Sequence, residues 1–171
     1  DWAYGTLGAA AMTFELGTDF YQPCTYFSSS IVPKSIRALN YAAKISGAPY
    51  SLPKGPDVIK ILFDAASVNS TGVLKVRPTA SDSAWSPGKF ATSKQGVASI
   101  RAWVDVHPYD SGAGTGEVVS GVSLTSDPTT GLYAIQASRY RIGNHTIYFE
   151  ATDKSGFKGP ISAAKFVIKT K

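Results

Sequence analysis

Hydrophobic and polar positions follow two rhythms along this chain, and the change falls near residue 50. Residues 7–16, Leu-Gly-Ala-Ala-Ala-Met-Thr-Phe-Glu-Leu, form an apolar run broken only by Gly8, Thr13 and Glu15. Such a run predicts a strand covered on both faces, as in an α/β sheet, with small residues at 8–11 admitting close helix packing. Residues 17–32 read as a loop, with turn residues at Gly17-Thr18-Asp19 and Ser28-Ser29-Ser30. A helix is predicted from about Pro33, which suits a first turn because its missing N–H had no partner there. Ile36, Leu39, Tyr41, Ala42 and Ala43 give it an apolar side, Lys34, Arg37 and Lys44 a wet one. Gly47 is expected to close it in a left-handed conformation. Residues 51–57, rich in proline, read as a short, stiff linker.

Beyond the linker the helical period disappears. Strands are predicted at 58–63, 73–78, 97–105, 118–124, 132–137, 145–152 and 163–169. Two alternate cleanly: Ile100, Ala102 and Val104 against Arg101, Trp103 and Asp105, and Ile147, Phe149 and Ala151 against Tyr148, Glu150 and Thr152. Between them lie turn sequences: Asn69-Ser70-Thr71-Gly72, Asp110-Ser111-Gly112, Asp127-Pro128 and Asp153-Lys154-Ser155-Gly156. Seven short strands with regular turns predict an immunoglobulin-like β-sandwich over residues 58–171. No internal repeat or low-complexity tract interrupts it.

Composition narrows the function classes. Hydrophobic residues make up 43% of the 171 and charged residues 17%, enough apolar material for a core. No apolar run approaches the roughly 20 residues of a membrane span. Low charge with abundant Ser, Thr, Gly and Tyr is typical of secreted bacterial proteins. The net charge of +5 lies wholly in residues 51–171, because Lys34, Arg37 and Lys44 cancel Asp1, Glu15 and Asp19. Those basic residues are scattered singly, a solvated face rather than a nucleic-acid footprint. The lone Cys24 cannot form a disulfide within the chain. It is either a buried thiol or paired with a cysteine elsewhere, and no Cys/His signature makes it a nucleophile.

Glu15 carries the chemical question. A carboxylate within an apolar strand is costly unless it is paired or does work. Read from its surroundings alone, it is a strand-end residue reaching solvent beside the Gly17 turn.

Residues 1–50 resemble the last part of the funnelin-type zinc carboxypeptidases. The matching elements are Asp1-Trp2-Ala3-Tyr4-Gly5, Thr13-Phe14-Glu15-Leu16, Gln22-Pro23-Cys24 and the closing helix Ala38-Leu39-Asn40-Tyr41-Ala42-Ala43-Lys44. The resemblance implies that Glu15 is the general base and acid, taking a proton from zinc-bound water and delivering it to the departing amine. It implies that Asp1 lies near the pocket for the substrate's C-terminal side chain, and that Trp2 and Tyr4 are structural. The family's zinc ligands, a His-x-x-Glu pair and a later His, precede the Asp-Trp element. Here the histidines are His107 and His145, and neither begins a His-x-x-Glu. No metal residue is therefore assigned in this chain; zinc belongs to the parent enzyme, with the upstream part of the catalytic domain as partner. A chain that starts at Asp1, inside a recognisable segment, reads as processed or cut.

Residues 51–171 resemble the accessory domain that follows the catalytic domain in some secreted bacterial carboxypeptidases, through residues 98–105, 143–151 and 153–160. The expected fold is thus mostly β: an immunoglobulin-like β-sandwich preceded by the last strand and helix of an α/β carboxypeptidase domain. Residues 153–160 read as a hairpin turn before a Ca²⁺ site, since a ligand series is lacking. His107 reads as a loop residue and His145 as an exposed or hydrogen-bonded residue at a strand start. Asn69-Ser70-Thr71 and Asn144-His145-Thr146 fit the glycan acceptor pattern. Trp85, Trp103 and Tyr109 are either core aromatics or the lining of a carbohydrate or protein contact.

Two functions from different classes follow. The first is the C-terminal part of a secreted zinc carboxypeptidase acting on peptide C-termini. The second is a processed extracellular filament or adhesion subunit, self-associating through residues 7–16 by strand addition between copies.

Overall fold

The computed structural model describes residues 2–83, 96–123 and 127–171. The chain divides into two compact units, Asp1–Pro49 and Tyr50–Lys171.

In the first unit, α1 spans Trp2–Leu7, and residues 8–16 carry no regular structure and are exposed. The strand expected at 7–16 is not formed. A strand needs a neighbour for its backbone groups, and among the described residues this unit contains no sheet to supply one. The loop expected at 17–32 is shorter than predicted. A continuous helical rod begins with α2, Cys24–Tyr26, passes through a π-helical turn at Phe27–Ile31, and continues as α3, Val32–Ile45. Pro33 therefore sits inside the rod rather than opening it. A mid-helix proline deletes one N–H and clashes with the carbonyl four residues back. The widened turn immediately before it, with Val32 N–H donating to Phe27 O, accommodates that conflict. The Ser28, Ser29 and Ser35 hydroxyls donate to the carbonyls of Cys24, Thr25 and Ile31, at 2.9, 2.7 and 2.8 Å. The rod ends through tight turns, Ser46 N–H to Ala43 O and Ala48 N–H to Ile45 O, and Gly47 does not take the left-handed backbone expected of it.

The second unit is a β-sandwich. One sheet joins β1 (Asp57–Phe63), β3 (Val73–Ser81), β6 (Thr129–Thr130) and β7 (Tyr133–Gln136). The other has the order β2-β9-β8-β4-β5, where β2 is Val68–Asn69, β4 Val97–Val104, β5 Glu117–Val118, β8 Gly143–Asp153 and β9 Ser162–Lys169. The chain changes sheet after β1, β2, β3, β5 and β7, which is the immunoglobulin-like way of crossing between two faces. Inward residues of both sheets, among them Leu74, Val76, Ile100, Ile135, Ile147, Phe149, Phe166 and Ile168, form one buried core.

The predicted strands are largely present, with instructive differences. The strand predicted at 118–124 is reduced to β5 and a single bridge from Ser120 to Leu132, residues 124–126 lying outside those described. The strand predicted at 132–137 is preceded by β6, split from β7 opposite Pro78. Proline has no N–H for the ladder, so the pair keeps only the Gly131 N–H bond to Pro78 O at 3.0 Å, while Leu132 exchanges both backbone bonds with Ser120. The segment 51–57, read as a linker, holds a 3₁₀ turn at Leu52–Lys54 in which Leu52 and Pro53 are buried. No helix among the described residues is long and apolar enough to cross a membrane.

Candidate functional site

The outward face of the five-stranded sheet is where the alternation rule gives way. Arg101 and Trp103 on β4 lie opposite Glu150 and Tyr148 on β8. All four should face water. Instead Trp103 is 7% exposed and Glu150 2%.

The cause is the loop 105–116. Asp105 ends β4 in a left-handed conformation, φ 61°, and three bonds hold it there. Its N–H donates to Thr146 O at 2.8 Å, its Oδ1 accepts Thr146 N–H at 2.9 Å, and its Oδ2 lies 2.6 Å from His145 Nδ1. The loop then turns back over the sheet. His107 meets Tyr148 edge-on, with centroids 5.2 Å apart. Arg101 Nη1 donates to the carbonyls of Thr115 and Gly116 at 3.0 and 3.2 Å. Gly116, at φ +68°, lies so close on the Trp103 ring that a Cβ would stand 2.4 Å from it.

Under this loop is a cleft of about 260 Å³. Its floor is Arg101, Trp103, Glu150 and Thr152; Tyr109 and Lys158 stand at its sides. Lys158 Nζ pairs with Glu150 Oε1 at 3.0 Å. The Trp103 indole N–H is buried without a hydrogen-bond partner. Burial, and then the negative charge of Glu150, raise the Tyr109 phenol above its ordinary value, with Lys158 opposing, so Tyr109 is a neutral donor at physiological pH. A second cleft of about 300 Å³ lies along β4 and β5, lined by Trp103, Glu117, Tyr133 and Tyr140. There the Tyr133 hydroxyl donates to Glu117 Oε2 at 2.7 Å; burial and that bond raise its pKa, which keeps it a phenol.

Glu15 is exposed and lines an open hollow with its own neighbours, residues 16–20. Asp1 and Trp85 lie outside the described residues. Cys24 is exposed with a free thiol, not buried. His107 is a loop residue, its Nδ1 accepting Tyr109 N–H at 3.3 Å. His145 is buried and hydrogen-bonded on both nitrogens. Residues 153–156 form the predicted turn: Asp153 Oδ1 accepts the N–H groups of Ser155 and Phe157. Among the described residues no three His, Cys, Asp or Glu side chains gather as a metal site, so the zinc of the resemblance has no ligand set among them. Sequence reasoning missed Glu150 and Lys158. The one available signal was a glutamate between Phe149 and Ala151, in a strand whose alternate residues are apolar.

No family model matches the chain, and no curated protein sequence matches it. Among solved structures it is similar to the fibronectin(III)-like modules of Clostridium thermocellum CbhA, at 20% identity and a TM-score of 0.35, covering 65% of this chain and 98% of that one.

Proposed function

We propose that this chain is the C-terminal portion of a secreted zinc metallocarboxypeptidase that removes C-terminal residues from peptides. Residues 1–50 complete its α/β catalytic domain, and the β-sandwich is an accessory module. The observation that carries this reading is the apolar surface of the first unit. Trp2, Leu7, Met12, Phe14, Leu16, Phe20, Ile36 and Leu39 are all exposed, while only Ile31 and Ile45 of its described hydrophobic residues are buried. A segment with so much apolar surface calls for a larger body to pack against, and a catalytic domain carrying the zinc ligands would be that body. Within it, residues 7–16 gain the sheet neighbours a strand requires, Glu15 is the proton-transferring carboxylate and Asp1 contributes to side-chain selection. Glu15→Gln in the parent polypeptide should lower peptidase turnover by about 10²–10⁴-fold with the fold intact. Unchanged turnover, or a parent without carboxypeptidase activity, rejects the reading.

A second reading is a self-assembling extracellular subunit built by strand addition. It is favoured by one pair of features: residues 8–16 are exposed and without regular structure, and β1 pairs only with β3 among the described strands, showing Ile59 and Leu62 to solvent. Such an edge is a template for an incoming strand. Deleting residues 2–16 should convert any polymer to monomer by light scattering and electron microscopy; polymer that survives the deletion removes this reading.

A further inference from the structure

We propose that the cleft beneath loop 105–116 binds a sugar carboxylate, a single uronic acid residue. The proposal does not depend on the peptidase reading, because the site lies wholly in the β-sandwich.

The lining has a surplus of donors. Arg101, Lys158, Tyr109 and Thr152 offer hydrogens, while Glu150 is the one carboxylate among them. Two cations and one anion leave the cleft net positive. The Arg101 guanidinium spends Nη1 on loop carbonyls and makes no ion pair among the described residues. A ligand rich in acceptors and carrying a negative charge satisfies this arrangement. Glu150, paired through Oε1 with Lys158, is the carboxylate acceptor among the lining residues.

Size and lining choose the rest. At about 260 Å³ the cleft is smaller than the roughly 300–1,000 Å³ of drug-sized sites, so it admits one ring. Tyr109, 60% exposed at the rim, offers an aromatic surface to the C–H face of a sugar. Pro108 is the one wholly aliphatic side chain of the lining, beside the aromatic Trp103 and Tyr109.

The test is an NMR titration of the whole chain with glucuronate, following the assigned Trp103 indole N–H, with glucose and N-acetylphenylalanine as comparison ligands. Glucuronate should give a saturable shift, weakened by added salt, that glucose does not reproduce. Lys158→Gln, which keeps most of the side-chain stem, should weaken the apparent Kd by about tenfold, as expected for loss of a charged hydrogen bond. Should Lys158→Gln perturb the fold, Tyr109→Ala at the exposed rim should weaken binding in the same direction. Absence of a saturable shift, an equal response to glucose, or tighter binding of N-acetylphenylalanine would each overturn the proposal.

Discussion

His145 shows how much one residue's role depends on partners far along the chain. Its Nδ1 faces the Asp105 carboxylate and its Nε2 the Arg141 carbonyl, each at 2.6 Å. Two acceptors on one imidazole require both nitrogens to donate, which is the charged form. Burial pulls its pKa down, but the Asp105 hydrogen bond, the Arg141 carbonyl and the Asp105 charge outweigh it, and the net direction is up. A raised folded-state pKa adds stability that is fully present below the unfolded value of about 6.5 and is lost as pH rises through the folded value. Urea unfolding across pH 5–9 should therefore show stability falling as pH rises above about 6.5, and Asp105→Asn should flatten that slope. An unaltered slope in Asp105→Asn would show that this pair does not set it. The strand start at His145 was legible in the sequence. Its charge was not, because Asp105 belongs to a different strand end and only the β4–β8 register brings the two together.

At the level of elements, local pattern succeeded where one sheet face was buried and failed where backbone chemistry intervened. The alternation along β8 correctly assigned Ile147, Phe149 and Ala151 to the core. It also placed Glu150 in water, since alternation cannot know that a loop will cover the outer face. Prolines 33 and 78 each left a visible mark, a widened helical turn and a split partner strand, and in both cases the missing N–H is the reason. Close backbone crossings were equally hidden. At Gly159 a Cβ would stand 1.8 Å from the Pro56 carbonyl oxygen, where the turn after β8 crosses the segment before β1. Gly159→Ala should cost about 1–3 kcal/mol or more, because rigid backbone rather than a flexible side chain must yield. Chemical denaturation will measure it, and a loss below about 0.5 kcal/mol would contradict so tight a crossing.

For the whole molecule, the two units differ in self-sufficiency. The sandwich has a continuous core contributed by both sheets, whereas the first unit buries Ile31 and Ile45 and leaves most of its large apolar side chains exposed. Residues 50–171 alone should thus unfold cooperatively, with a melting temperature within a few degrees of the intact chain. Residues 2–49 alone should show a weak, non-cooperative helical signal by circular dichroism. A cooperative transition in the shorter piece would mean that it holds a core of its own, and would remove the main support for a missing catalytic body.

The amino-acid sequence by itself determined the change of character near residue 50, the helix through Ile36–Lys44, the inward sets of the main strands and the turns at 69–72, 110–112 and 153–156. Each depends on periodicity or turn chemistry within about ten neighbouring residues. Only the tertiary structure decided that residues 8–16 stay unpaired, that Trp103 and Glu150 are buried on an outer face, and that Arg101, Tyr109 and Lys158 converge on one cleft. Those outcomes rest on contacts between segments far apart along the chain: a strand needs a partner, a covered face needs a cover, and a cleft needs both walls.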